Sequence, residues 1–253
     1  MPVTRAALER ELGELLRPEQ FSDYCPNGLQ VEGRENIQKL VTGVTASLAL
    51  IEAAIAAGAD AILVHHGYFW KGEEQTVTGL KRKRIFKLLE NDISLFGFHL
   101  PLDVHEQLGN NVQLAKLLDV DVEGSIFKQN NFPLVLRGTL REPMSGEAFA
   151  GHLQSRLTRA PLLIPGTSET ISSLAWCTGA GQNFIELAVE AGVDAYLSGE
   201  ISEQTTHVAR ESGLHFFAAG HHATERYGVQ AVGNYVADKF GIDHEFIDID
   251  NPA

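Results

Sequence analysis

One stretch of this chain occurs twice. Ile51-Glu52-Ala53-Ala54-Ile55-Ala56-Ala57-Gly58-Ala59-Asp60-Ala61-Ile62-Leu63 aligns without a gap on Ile185-Glu186-Leu187-Ala188-Val189-Glu190-Ala191-Gly192-Val193-Asp194-Ala195-Tyr196-Leu197, with eight of the thirteen positions identical. Glutamate, glycine and aspartate match as well as alanine, so shared helix composition does not account for the likeness. In each copy an apolar helix stops at a glycine and a short apolar strand follows. An internal repeat of a helix–turn–strand unit is the mark of a duplicated architecture. It restricts the fold to two related halves built around parallel strands.

The flanking segments extend each copy. Lys39 to Thr45 reads as a strand, Leu48 to Ala57 as a helix, and Asp60-Ala61-Ile62-Leu63-Val64-His65-His66-Gly67 as a strand whose unbroken apolar run calls for burial on both faces. Lys81 to Leu89 follows as a helix, Ile93 to His99 as a strand, and Asn110 to Leu118 as a helix capped by Asn110. Strand and helix alternating at this spacing indicate parallel βαβ units. Before them, Leu8, Leu12, Leu15 and Leu16 form the apolar stripe of a helix over residues 4–16, started at Thr4 and stopped by Pro18. Between 121 and 170 the alternation lapses: 134–140 reads as a strand and 146–157 as a helix. The expected class is therefore α/β: two duplicated βαβ-type halves, 1–120 and 171–253, mostly parallel, packed around a shared metal crevice, with a short α+β insertion at 121–170.

The expectation of metal comes from what lies at the strand ends. In parallel sheets ligands gather beyond the carboxyl ends of the strands, and there the first copy carries His65 and His66, where the second has Gly199 and Glu200. Neutral imidazole is the commonest metal-ligating side chain. His99 and Asp103 follow the next strand of the first half. After the corresponding strand of the second half comes Gly220-His221-His222-Ala223-Thr224-Glu225. In a helix beginning near His221, that histidine and Glu225 stand at i and i+4, on one face. Imidazoles and carboxylates in this number match the inventory of a two-metal hydrolytic site, with Glu225 or Asp103 as the bridging carboxylate. Nitrogen and oxygen donors suit zinc, iron, manganese or cobalt without choosing among them. With only Cys25 and Cys177, a thiolate zinc site or a disulfide framework is not expected.

Four segments carry a resemblance to a known family. Ser22-Asp23-Tyr24-Cys25-Pro26-Asn27-Gly28-Leu29-Gln30-Val31-Glu32-Gly33, Val64-His65-His66-Gly67, His99-Leu100-Pro101-Leu102-Asp103 and Gly220-His221-His222-Ala223-Thr224-Glu225 are similar to the marker segments of the GTP cyclohydrolase I type 2 family, the Nif-three-like metalloproteins. The likeness to their short bacterial form runs nearly end to end. It implies an α/β fold, a dinuclear centre holding two divalent metal ions per subunit, and assembly as a toroidal homohexamer. Carried over position by position, it implies His65, His66, Asp103, His221 and Glu225 as ligands. Leu100 stands where relatives have a polar residue, and the long central insertion of some relatives is absent.

Of the remaining candidates, Glu200 is placed at the crevice as a general base, and His99 as a hydrogen-bond partner of a ligand or a proton shuttle. His222 lies about 100° around the helix from His221 and is set outside the ligand set. His105, His207, His215 and His244 are read as bystanders, and Lys81-Arg82-Lys83-Arg84 as a solvated helix face, or as a phosphate contact where it lines an oligomer's interior.

Two functions follow. The first is a metal-dependent hydrolase in which bound water, its pKa lowered towards 7, attacks a nucleotide or nucleobase. The family name suggests ring-opening hydrolysis of GTP by metal-bound hydroxide. The second is a non-enzymatic metal-binding oligomer, an interaction platform or metal reservoir. A formal charge of −13 opposes a general nucleic-acid-binding surface. An acidic N-terminal stretch without a signal-peptide pattern, and no apolar run of membrane-spanning length, give a cytoplasmic expectation.

Overall fold

The Asp60–Gly67 stretch is the middle of a sheet. In a computed structural model, which describes residues 2–129 and 131–253, Ala61–His66 forms the central strand of five, ordered Asp243–Phe246, Lys39–Thr45, Ala61–His66, Ser94–Gly97 and Gly28–Val31. The first four run parallel and Gly28–Val31 closes the edge antiparallel. Alternation along the central strand fills both faces. Ala61 and Leu63 pack with Leu8, Leu12, Leu40, Phe96, Val229, Val232 and Val236. Ile62 and Val64 pack on the other side with Val41, Leu50, Ile51, Ala54, Leu88 and Leu95. Helices Arg5–Leu16 and Arg226–Phe240 therefore cover one face, and Leu48–Ala56 and Gly79–Glu90 the other. Each fully buried leucine or isoleucine in these layers contributes about 1.5–3 kcal/mol.

The chain forms two compact units: residues 1–108 with 228–250, and residues 109–227 with 251–253. The second has a six-stranded sheet in the order Val120–Gln129, Phe132–Met144, Ile171–Cys177, Ala195–Ser198, His215–Ala218 and Leu162–Ile164. Its middle three strands are parallel and the rest antiparallel. Leu174, Trp176, Leu197 and Phe217 pack beneath Phe149, Leu153 and Leu157 of helix Gly146–Leu157. The division differs from the one expected at 121–170. The hairpin there pairs with Ile171–Cys177 and so belongs to the second sheet, while residues 228–250 lend their valines to the first core.

The duplication is visible bond for bond. Asp60 Oδ2 accepts from the backbone of Gln38 and Lys39, and Asp194 Oδ2 from that of Ser172 and Ser173. Each aspartate also links three strands through its own backbone, Asp60 to Lys39 and Ser94, Asp194 to Ser173 and His215. Gly58 and Gly192, with φ of 73° and 66°, make the left-handed turn out of each helix.

Several helix starts follow from the sequence. The Thr4, Ser47, Ser145 and Ser202 side chains each accept from a backbone N–H in the first turn of the helix that follows. Asn110 does not cap its helix. Gly109 holds that position, and Asn110 is fully buried. The neighbouring Asn111 also turns inward, donating to the Leu134 carbonyl and accepting from the Thr178 N–H. The helix begun at His221 is likewise shorter than expected: it runs His221–Thr224, breaks at Glu225, and resumes as Arg226–Phe240.

Candidate metal centre

In the first unit, His65 and His66 close the central strand. Their side chains leave it differently: His65 is buried, His66 part-exposed. His65 Nδ1 lies 2.9 Å from the Phe98 carbonyl oxygen, which can only accept, so Nδ1 carries a proton and donates it there. Nε2 lies 3.4 Å from Oδ1 of Asp103, a buried carboxylate on the short helix Leu100–Val104. His66 Nδ1 is held 3.1 Å from the Thr45 hydroxyl of the adjacent strand. The donor atoms of His65, His66 and His99 lie within 4.8 Å of one another. Metal-ligating histidines almost always engage their other ring nitrogen in this way, which fixes ring orientation and tautomer.

His99 enters the cluster from the residue before the Asp103 helix. Its Nδ1 lies 2.8 Å from Asp23 Oδ1, and its backbone N–H donates to Asn27 Oδ1. Asp23 also accepts from the backbone N–H groups of Tyr24 and Leu100 and from the Asn27 amide. Burial raises the Asp23 pKa, but these hydrogen bonds and the nearby His99 outweigh it, and the carboxyl sits below its ordinary value. Cys25 is close by, and burial beside the Asp23 charge pushes its thiol up to about 12. It is therefore a protonated thiol at neutral pH, in line with a structural cysteine.

In the second unit, His221 opens the short helix after Gly220, whose φ of 99° makes the turn from strand to helix. His221 Nε2 lies 3.1 Å from Oε2 of buried Glu225, and Nδ1 lies 2.7 Å from Oε1 of Glu200. Burial lowers the His221 pKa, but hydrogen bonds and charge from Glu225 and Glu200 outweigh that effect and hold it up at about 9. An imidazolium clasped by two carboxylates is the protonated counterpart of an imidazole offering Nε2 to a cation beside Glu225. Backbone crowds this turn. A Cβ on Gly199 would lie 2.6 Å from the Gly179 carbonyl oxygen and 2.7 Å from His221 Cα, and one on Gly179 would lie 2.0 Å from Glu225 Oε1.

The structure thus brings His65, His66, Asp103 and His99 together in one unit, and His221, Glu225 and Glu200 in the other. Glu200, expected as a base, is engaged as the orienting partner of His221, and Gln182 donates to its other oxygen. His222 is buried, its backbone N–H donating to the Ala253 carbonyl. Of the histidines read as bystanders, His215 accepts from the Gly166 N–H and reaches the Ser168 carbonyl, while His244 bonds Thr42 and Asn234. Lys81 is not a solvated cation: it donates to the Glu74 carbonyl and lies 3.4 Å from Glu73. Sequence reasoning missed Asp23, Asn27, Gln30 and Thr45, the residues that orient the others. Asp23, Asn27 and Gln30 stand in the segment 22–33 that carries the resemblance, which gave them no role, and Thr45 ends the strand Lys39–Thr45 with no signal of its own. The donor set, nitrogen and oxygen atoms with several oriented imidazoles, fits a borderline or hard divalent cation.

Comparison with known proteins agrees with the fold. The sequence model described as Duf34/NIF3 (NGG1p interacting factor 3) matches residues 3–252. A Pseudomonas aeruginosa protein named GTP cyclohydrolase 1 type 2 homolog is 54% identical over 253 residues, covering 100% of both chains. An Escherichia coli K12 protein of the same name is 54% identical over 247 residues, covering 97% of this chain and 98% of its own. Among solved structures, the protein ybgI, described as of unknown function, superposes with a TM-score of 0.95 at 52% identity, over 99% of this chain and 100% of its own.

Proposed function

The chain belongs to the Duf34/NIF3 family, and from that premise and the geometry of its donors we propose that it is a metal-dependent hydrolase acting on a nucleotide or nucleobase. Its ligands are His65, His66, Asp103, His221 and Glu225, holding two divalent ions. The observation that carries this reading is the pinning of each imidazole through Nδ1: His65 by a carbonyl, His66 by a hydroxyl, His221 by a carboxylate. Such ions, when bound, lower the pKa of a coordinated water towards 7 and supply a nucleophile at neutral pH. The chain's own residues orient the donors. His99, held by Asp23, stands beside His65 and His66 as the group that hands a proton to or from substrate. The name GTP cyclohydrolase 1 type 2 homolog, borne by relatives, supports a purine nucleotide as substrate class.

Metal content by mass spectrometry on untagged protein tests the reading. About two divalent ions per chain are expected, lost in a His65→Ala/His221→Ala variant. Nucleotide hydrolysis by the metal-loaded protein should vanish in Asp103→Asn. Absence of metal after reconstitution with zinc, iron(II), manganese and cobalt would sink the proposal. The description NGG1p interacting factor 3 favours a second reading, an interaction platform. Metal binding without turnover on any nucleotide would move the balance to it. We further propose assembly as a homohexamer and a cytoplasmic location. Among the described residues no helix is long and apolar enough to cross a membrane.

A further inference from the structure

We propose that Trp70 is the surface on which this protein seats a planar aromatic ring of its ligand, a nucleobase or a similar heterocycle, beside the His65–His66 donors. The proposal rests on the hydrolase reading above and adds to it the residue that recognises substrate. The Trp70 ring lies 6.1 Å from that of His66 and perpendicular to that of His99, at 4.9 Å and 80°. Its indole N–H donates to the Gly67 carbonyl and its backbone N–H to the Glu73 carboxylate. Those two bonds fix the indole in place, and Trp70 is half-buried beside the two imidazoles rather than sealed in the core. The contrast with Trp176 is plain: that indole is 1% exposed and donates to the Asn111 carbonyl within the core of the other unit.

The segment carrying Trp70 is strained and fastened. Phe69 has a φ of 65°, a conformation bulky side chains rarely adopt. Such strain persists only where the surroundings enforce it, and it concentrates at ligand sites. The enforcement is visible. The Tyr68 N–H donates to Gln30 Oε1, the Tyr68 hydroxyl to the Ala46 carbonyl, and the Lys71 N–H to the Tyr24 carbonyl. Gly67 sits so close to the Gln30 amide that a Cβ there would lie 2.1 Å from Oε1. Yet the two linked loops leave Phe69 and Tyr24 38% and 58% exposed. Loops fixed at so many points that still present aromatic side chains to solvent suit a flat ligand, and base–aromatic stacking tolerates any base because every base has a π face.

The test is tryptophan fluorescence of the metal-loaded full chain titrated with guanosine and, separately, ribose 5-phosphate, alongside equilibrium dialysis. Guanosine should quench saturably and ribose 5-phosphate should not. Trp70→Ala should weaken guanosine binding roughly 5- to 150-fold, the range for loss of one stacked base, while Trp70→Phe keeps most of the affinity and metal content per chain is unchanged in both. Should Trp70→Ala fail to fold, Trp70→Leu, apolar but without a π face, carries the same expectation. Guanosine binding equal to wild type in the alanine or leucine variant overturns the proposal, as does no guanosine binding by fully metallated wild type. Trp70-dependent binding by a protein that takes up no metal would leave this proposal standing and remove the hydrolase reading instead.

Discussion

At the scale of single residues, the site is a matter of which ring nitrogen faces which atom. Glu200 sets that choice for His221. On the proposed ligand set, Glu200→Gln, which keeps the shape but loses the charge, should weaken metal binding about 10- to 100-fold, the usual cost of removing a ligand's orienting partner, as read by competition with a chromophoric chelator. Asp194 offers a prediction about pH. Burial raises its pKa, but hydrogen bonds from the Ser173 and Ser172 backbone and the Ser173 hydroxyl outweigh it, and the carboxyl lies below its ordinary value. A depressed carboxyl stabilises the fold above its unfolded pKa, and that stability is lost as pH falls through the folded value. Asp194→Asn should therefore cost about 1 kcal/mol at pH 7, allowing for the solvent that reaches the group. The difference from wild type should shrink in urea unfolding as the pH falls below the ordinary carboxyl range and through the lowered folded value. Residue types at strand ends made His65, His66, His221 and Glu225 candidates in the sequence, and the structure groups His65 with His66 and His221 with Glu225. Asp23, Asn27 and Gln30 were not, because their roles arise from partners such as His99 and Tyr68, far along the chain.

At the scale of elements, the repeat explains both the likeness and the difference of the halves. Helix, left-handed glycine and strand could be read twice from the sequence, and the aspartate at each strand start makes the same bonds in both copies. What could not be read is why position 199 is glycine where the first copy has His65. The Gly179 turn and the His221 helix approach it so closely that any side chain collides with backbone. Gly199→Ala should thus destabilise the second unit by about 1–3 kcal/mol and lower metal occupancy by displacing His221. Denaturant melts beside metal content check both. The break at Glu225 was equally hidden, since a regular helix satisfies the His221–Glu225 spacing as well as an interrupted one does. The hairpin of residues 120–144 looked like an insertion because antiparallel strands interrupt a parallel pattern. Pairing, not pattern, assigns it to the second sheet.

At the scale of the whole molecule, each unit has its own sheet and core, and the first draws on both ends of the chain. Val232 on helix Arg226–Phe240 is fully buried against Leu8, Leu12 and Leu63. Val232→Ala should cost about 2 kcal/mol. Hydrogen exchange should quicken across residues 1–108 and 228–250 and stay unchanged in 109–227, if the units open independently. Helix Gly79–Glu90 leaves Phe86 and Leu89, three residues apart on one side of the helix, 50% or more exposed, and exposed apolar residues grouped in this way mark protein contact surfaces. If the proposed homohexamer buries this pair, Phe86→Glu/Leu89→Glu should lower the mass found by light scattering to that of a smaller species.

A unit assembled from residues 1–108 and 228–250 also has a history on the ribosome. Its amino-terminal strands are synthesised first, but Val229, Val232, Val236 and the edge strand Asp243–Phe246 emerge last. Domains generally fold as units while the chain grows. Here residues 1–108 wait for residues 228–250, with one face of their sheet covered only in part by Arg5–Leu16, while residues 109–227 are already free to gather their core. The unit begun earlier along this message is thus the one completed later, and the nascent first half is where a holding chaperone would find its apolar target.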